Sequence, residues 1–120
     1  MAHPILDEFG RRLIGEVREE TVSDWQMIIS GQMKGERAER IRAELGQLGG
    51  GASSIIEKIV PEVVDSVLHH LLRWLEEDDD FTVTGEVARQ RIDDLAEESD
   101  GLAGELYTEA GWIARFGSGA

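Results

Sequence analysis

Residues 54–80 read SIIEKIVPEVVDSVLHHLLRWLEEDDD, and this stretch decides the fold. Ile55, Ile56, Ile59, Val60, Val63, Val64, Val67, Leu68, Leu71, Leu72, Trp74 and Leu75 cover more than half of a helical circumference. A helix apolar on so many sides belongs in the middle of a bundle, so the sequence predicts that this is the central and most buried element. Ser54 and Glu57 have the spacing of a capping box at its start. Pro61 lacks an amide hydrogen and is expected to kink the helix, or to divide it at Val60. The helix ends in Glu76, Glu77, Asp78, Asp79 and Asp80, acids that oppose the negative end of the helix dipole.

N-terminal to this stretch, Leu6, Phe9, Leu13, Val17, Thr21, Trp25 and Ile28 recur every three or four residues, predicting a helix from about Pro4 to Ser30. Pro4 suits a first helical position, and Asp7 and Glu8 suit the positive end of the dipole. Gly10 and Gly15 weaken the helix intrinsically, which points to close packing against a neighbour. At 1.5 Å per residue it extends about 39 Å, a length that implies an elongated bundle or a homodimer. Gly31 is the expected C-cap. Ala38, Ile41, Leu45 and Leu48 mark a further amphipathic helix, closed by Gly49-Gly50-Gly51. That glycine run lacks the Lys and Ser/Thr of a phosphate loop and reads as a helix connection.

C-terminal to the apolar helix, residues 81–84 alternate and are β-branched, predicting a short strand or extended linker. Val87, Ile92 and Leu95 suggest a helix over Glu86–Glu98, and Asp100 a cap for a last helix carrying Leu102, Leu106 and Tyr107. Trp112, Ile113 and Phe116 are expected to fold back onto the core. The sequence thus predicts an all-α bundle of about five helices forming one domain over residues 1–116, with a disordered tail at 117–120.

With 120 residues, 41% of them hydrophobic, the chain can build one core and not two. Its net charge of −13 is unevenly spread: residues 61–120 carry fifteen acids against Arg73, Arg89, Arg91 and Arg115. Such a field repels nucleic acid and anionic membranes, whose phosphates want Lys or Arg, and attracts basic proteins. No apolar run approaches the length of a membrane span. The absence of cysteine removes disulfides and thiolate chemistry and fits a reducing cytoplasm.

Two groups of residues are candidate sites. The first is an acidic face made by Glu76, Glu77, Asp78, Asp79 and Asp80 together with Asp93, Asp94, Glu97, Glu98 and Asp100, facing a basic protein partner. The second is Glu62, Asp65, His69 and His70, which lie on one helix and could hold a metal or a small ligand. Their spacing matches neither Glu-x-x-His nor His-Glu-x-x-His, and His3 is the remaining imidazole in the chain. No serine has a nucleophile-elbow context and no cofactor motif is present. Residues 99–107, with small residues at Gly101, Ala103 and Gly104 ahead of Tyr107, suit either tight docking of the chain end or a recognition surface. The expected function is non-catalytic binding of a basic protein, as by an inhibitor, immunity protein or antitoxin. The alternatives are a metal-binding bundle and a protein that self-associates through Leu6, Phe9, Trp25 and Trp74.

Overall fold

The computed structural model describes residues 4–118 and is mostly helical. Helix α1, Pro4–Arg12, continues through a wide π turn, Leu13–Arg18, into α2, Glu19–Ser30. The expected Pro4–Ser30 helix is therefore present, and Gly31 ends it in the left-handed region (φ 86°), its N–H donating to the Ile28 carbonyl. Its inward face differs from the expected one. Leu6, Gly10, Ile14, Arg18 and Val22 are buried, a run spaced by four, whereas Val17 is exposed. Residues four apart drift around an ordinary α-helix, because 3.6 residues make a turn. The π turn absorbs the surplus with i→i+5 bonding and keeps the run on one side.

Helix α3, Glu36–Gln47, packs its Ala38 and Leu45 face on α2, and α4 follows as a single helix, Ala52–Glu77. The helix runs unbroken through Pro61, which lies on its core-facing side and forgoes a bond to the Glu57 carbonyl. The capping box does not form. Gly51, at φ 93°, turns the chain into the helix early, so Ser54 lies inside α4 and the N-cap has no side-chain hydrogen bond. Nor is α4 the most buried element: of its residues only Leu68 and Leu72 are buried. The elements around it cover one side alone.

The chain beyond α4 departs further from an all-α bundle. Residues 81–84 belong to no strand or helix, although Val83 accepts the Leu95 N–H at 2.9 Å. Instead of a helix over residues 86–98, strands β1, Gly85–Val87, and β2, Gln90–Ile92, form an antiparallel hairpin in which Gly85 faces Ile92. Ala88 and Arg89 make its two-residue turn at φ 51° and 71°. Both central residues then have positive φ, the twist that matches paired strands. Residues 93–101 are turns, and a single 3₁₀ turn, Ala103–Leu106, replaces the last expected helix. Helix α5, Trp112–Phe116, does return to the core: Trp112 is buried, with Ile113 and Phe116 packed beside it.

The core gathers Ile5, Leu6 and Ile14 from the first helix, Leu68 and Leu72 from α4, Ile92 and Leu95 from the hairpin region, and Leu102, Leu106 and Trp112. It lies at one end of a body 50 × 29 × 27 Å in extent. Toward the other end α2 packs against both α3 and α4, so the N-terminal half of α4 is clothed on one flank. Among the described residues no helix is long and apolar enough to cross a membrane.

Candidate functional site: an acidic cleft and the outer face of α4

The end of α4 and the turns after β2 meet. Glu76, Asp78 and Asp79 from one segment and Asp94 and Glu97 from the other line a cleft of about 340 Å³, with Leu75, Thr82 and Ala96 completing its wall. No Lys or Arg lines it. Three of the five carboxylates have local tasks. Glu76 Oε2 accepts the Leu102 N–H at 2.8 Å, tying the 3₁₀ turn to α4. Asp78 Oδ2 accepts the N–H groups of both Asp80 and Phe81 at 2.9 Å, which turns the chain out of the helix. Asp94 Oδ1 accepts the Ala96 N–H at 3.0 Å. Asp79 and Glu97 have no such engagement among the described residues and are exposed.

The remaining acids of the expected face are distributed around this cleft. Glu77 pairs with Arg73 at 3.0 Å, and Asp93 with Arg91 at 2.7 Å. Glu98 and Asp100 line a neighbouring hollow of about 410 Å³ with Ser99, Gly101, Gly104 and Glu105, where the Ser99 hydroxyl donates to Glu105 at 2.9 Å. Asp80 is exposed beside the cleft. The fold thus brings the two acid-rich segments side by side, which the sequence could not show.

Glu62, Asp65, His69 and His70 share a helix without converging on one point. Asp65 faces inward, and both of its oxygens are taken by Arg18: Nε donates to Oδ1 at 2.6 Å, and the terminal nitrogen to Oδ2 at 3.2 Å. The hydrogen bond to Asp65 leads the effects that raise the Arg18 pKa above its ordinary value, and the Arg18 side chain is only 5% exposed. The His69 ring lies tilted against that of Tyr107, with centroids 5.7 Å apart, and its Nδ1 is buried without a hydrogen-bond partner among the described residues. Burial, and then the charges of Asp65 and Glu62, push the Tyr107 hydroxyl pKa up. Glu62 and His70 point the other way, onto the outside of α4. Among the described residues no group of three or more His, Cys, Asp or Glu side chains could hold a metal; His3 lies outside them.

Sequence reasoning missed Arg18 because it read Val17 as the inward residue. The alternative spacing by four, through Leu6, Gly10, Ile14 and Val22, was the available signal. It also missed the outer face of α4, where Ile55, Ile59, Val63, Val67, Leu71 and Trp74 are all between 43% and 61% exposed. Spaced mainly by four, they wind slowly around the helix, and Val63, Val67, Leu71 and Trp74 line a shallow groove with Glu62, Ser66 and His70. The side chains expected to drive self-association behave differently. Leu6 is buried, Phe9 packs edge-on against Trp112 with centroids 5.8 Å apart, and Trp25 lies under the Arg37 guanidinium at 5.5 Å. Of the four, Trp74 alone belongs to the exposed face.

The chain matches no protein-family model, no curated protein and no solved structure.

Proposed function

We propose that this is a non-catalytic protein-binding protein whose acidic C-terminal half engages a basic partner, as an inhibitor, immunity protein or antitoxin does. The observation that carries the reading is the cleft itself, where carboxylates from two segments of the chain gather with no Lys or Arg in the lining. Asp79 and Glu97 supply charge that no internal ion pair consumes, and Asp80, Glu98 and Asp100 extend the same sign outward. A field of this kind speeds encounter with a cationic surface and weakens as salt rises. Glu76, Asp78 and Asp94 fix the geometry on which those charges are displayed.

The test is a pull-down from native cell lysate at low and at moderate salt, with the wild-type chain and the Asp79→Lys/Glu97→Lys variant as baits. A basic protein recovered in stoichiometric amount by the wild type, lost as salt rises and lost to the variant, is the expected result. Recovery of the bait alone, or of a protein indifferent to both salt and charge reversal, would rule the acidic cleft out as the binding surface.

A further inference from the structure

The outer face of α4 is a second surface, turned away from the core and ending beside the acidic cleft. Six large apolar side chains, Ile55, Ile59, Val63, Val67, Leu71 and Trp74, stand about half exposed along nearly its whole length. Monomeric proteins rarely leave so continuous an apolar patch open to water. Phe81 extends it, also exposed, with its ring centroid 5.9 Å from that of Trp74. The ionisable groups that line the groove are Glu62 and His70, because Asp65 and His69 turn inward, and the exposed Lys58 stands one turn before Glu62.

We infer that this face is a dimer interface, on which α4 of a second copy lies antiparallel. The area fits. The six side chains present on the order of 500 Å² by their fractional exposures, and Phe81, His70, Ser66 and Glu62 bring this toward the roughly 800 Å² per partner of a standard interface. The charges fit one orientation. Overlaying the two stripes antiparallel sets Val63 beside the second copy's Val67 and Ile59 beside its Leu71. In that register Glu62 of each copy lies within one helical turn of the other copy's His70. The helix ends fit as well. The α4 N-terminus has no side-chain cap and no acid in its first turn, while its C-terminus carries five consecutive acids. Antiparallel pairing brings each acidic end to the other copy's open, positive N-terminus, where a carboxylate is favourable. Parallel pairing would stack the acids together. A twofold antiparallel pair is a closed assembly, so it leaves no apolar surface to propagate.

The test uses the full chain. Light scattering and sedimentation at high micromolar concentration should give about twice the chain mass of 13.3 kDa. Val63→Asp/Val67→Asp, at two solvent-exposed positions, should give the monomer mass with unchanged helical circular dichroism. The chain has no cysteine, so single substitutions report orientation cleanly. Ser66→Cys, close to the twofold axis of an antiparallel pair, should form a disulfide-linked dimer on oxidation, and Glu77→Cys, at the end, should not. A monomeric wild type would overturn the inference and leave the stripe to another protein. A dimer that survives the double aspartate variant, or one that cross-links through Glu77→Cys and not Ser66→Cys, would overturn the interface or its orientation.

Discussion

Gly10 lies against the indole of Trp112, so close that a Cβ on Gly10 would fall 2.4 Å from the ring atoms Cδ2 and Cε2. Trp112 and Gly10 stand at opposite ends of the sequence, and their contact closes the core between α1 and α5. A larger residue at position 10 has to displace the most bulky buried side chain of the protein. Gly15, five residues on in the same helix, has nothing near its missing Cβ.

The same substitution at these two glycines should therefore have opposite signs. Gly10→Ala is expected to destabilise by about 1–3 kcal/mol through overpacking. Gly15→Ala is expected to stabilise by up to about 1 kcal/mol through helix propensity. Urea unfolding of the two variants side by side checks both, and equal shifts would contradict the packing account of Gly10.

Asp65→Ala should be among the most damaging substitutions in α4. It leaves the Arg18 guanidinium buried with only Glu19, at 2.9 Å, as an ionic partner. Breaking a buried pair from one side costs about 3–5 kcal/mol, whereas replacing both members by apolar residues of similar size can be nearly neutral. Arg18→Met/Asp65→Leu should accordingly recover much of the loss, a comparison that thermal unfolding of the three chains makes directly.

Glu8 gives a pH prediction. Hydrogen bonds from Arg11, and then Arg12, hold its carboxyl well down, from 4.5 to about 2. A carboxylate depressed on folding contributes stability above its unfolded value, and that contribution fades as pH falls from about 4.5 toward 2. Its Arg11 and Arg12 partners are exposed to solvent, so the effect should be small and should shrink further with added salt. Glu8→Gln is expected to flatten the acid limb of stability in that window and leave neutral pH unchanged, and an NMR titration of the Glu8 side chain should report the lowered midpoint.

The hairpin turn offers a stabilising change. Ala88 and Arg89 both hold positive φ without being Gly or Asn. A left-handed conformation costs an ordinary residue roughly 1 kcal/mol or more. Ala88→Asn/Arg89→Gly, the favoured pair for this turn, should raise the melting temperature. A lowered one would show that the Arg89 side chain makes a contribution beyond the turn.

The features legible in the sequence were those announced by local chemistry. Pro4 and Gly31 mark the first helix at both ends, and the two acid-rich segments are plain in the composition. Where tertiary arrangement decides, local pattern misled. The hairpin was hidden because Ala88-Arg89 carries none of the Asn-Gly signal that usually marks such a turn. Twelve apolar residues in α4 implied deep burial, yet the pattern cannot count the neighbours available to cover a helix, and here they cover one side. Asp65 looked like a partner for His69, four residues on, because spacing along a helix is visible in sequence. The guanidinium that claims it comes from another helix, and was itself assigned to the wrong face. The meeting of Glu76–Asp79 with Asp94 and Glu97 is likewise a matter of chain path, which no pattern within either segment encodes.

The wide turn at Leu13–Arg18 has a bearing on which changes the first helix can absorb. Because it accommodates a longer spacing than an α-helix would, it sets the phase of everything after it: Arg18 toward Asp65, Val22 and Ile28 inward. Side chains that point outward there, such as Glu16, are free to vary in chemistry. Their number is not. Losing one residue from the turn would rotate the following helix by about 100° and carry Arg18 away from its carboxylate. In this segment chain length is under stricter control than residue identity, so substitutions should be tolerated where a one-residue deletion is not.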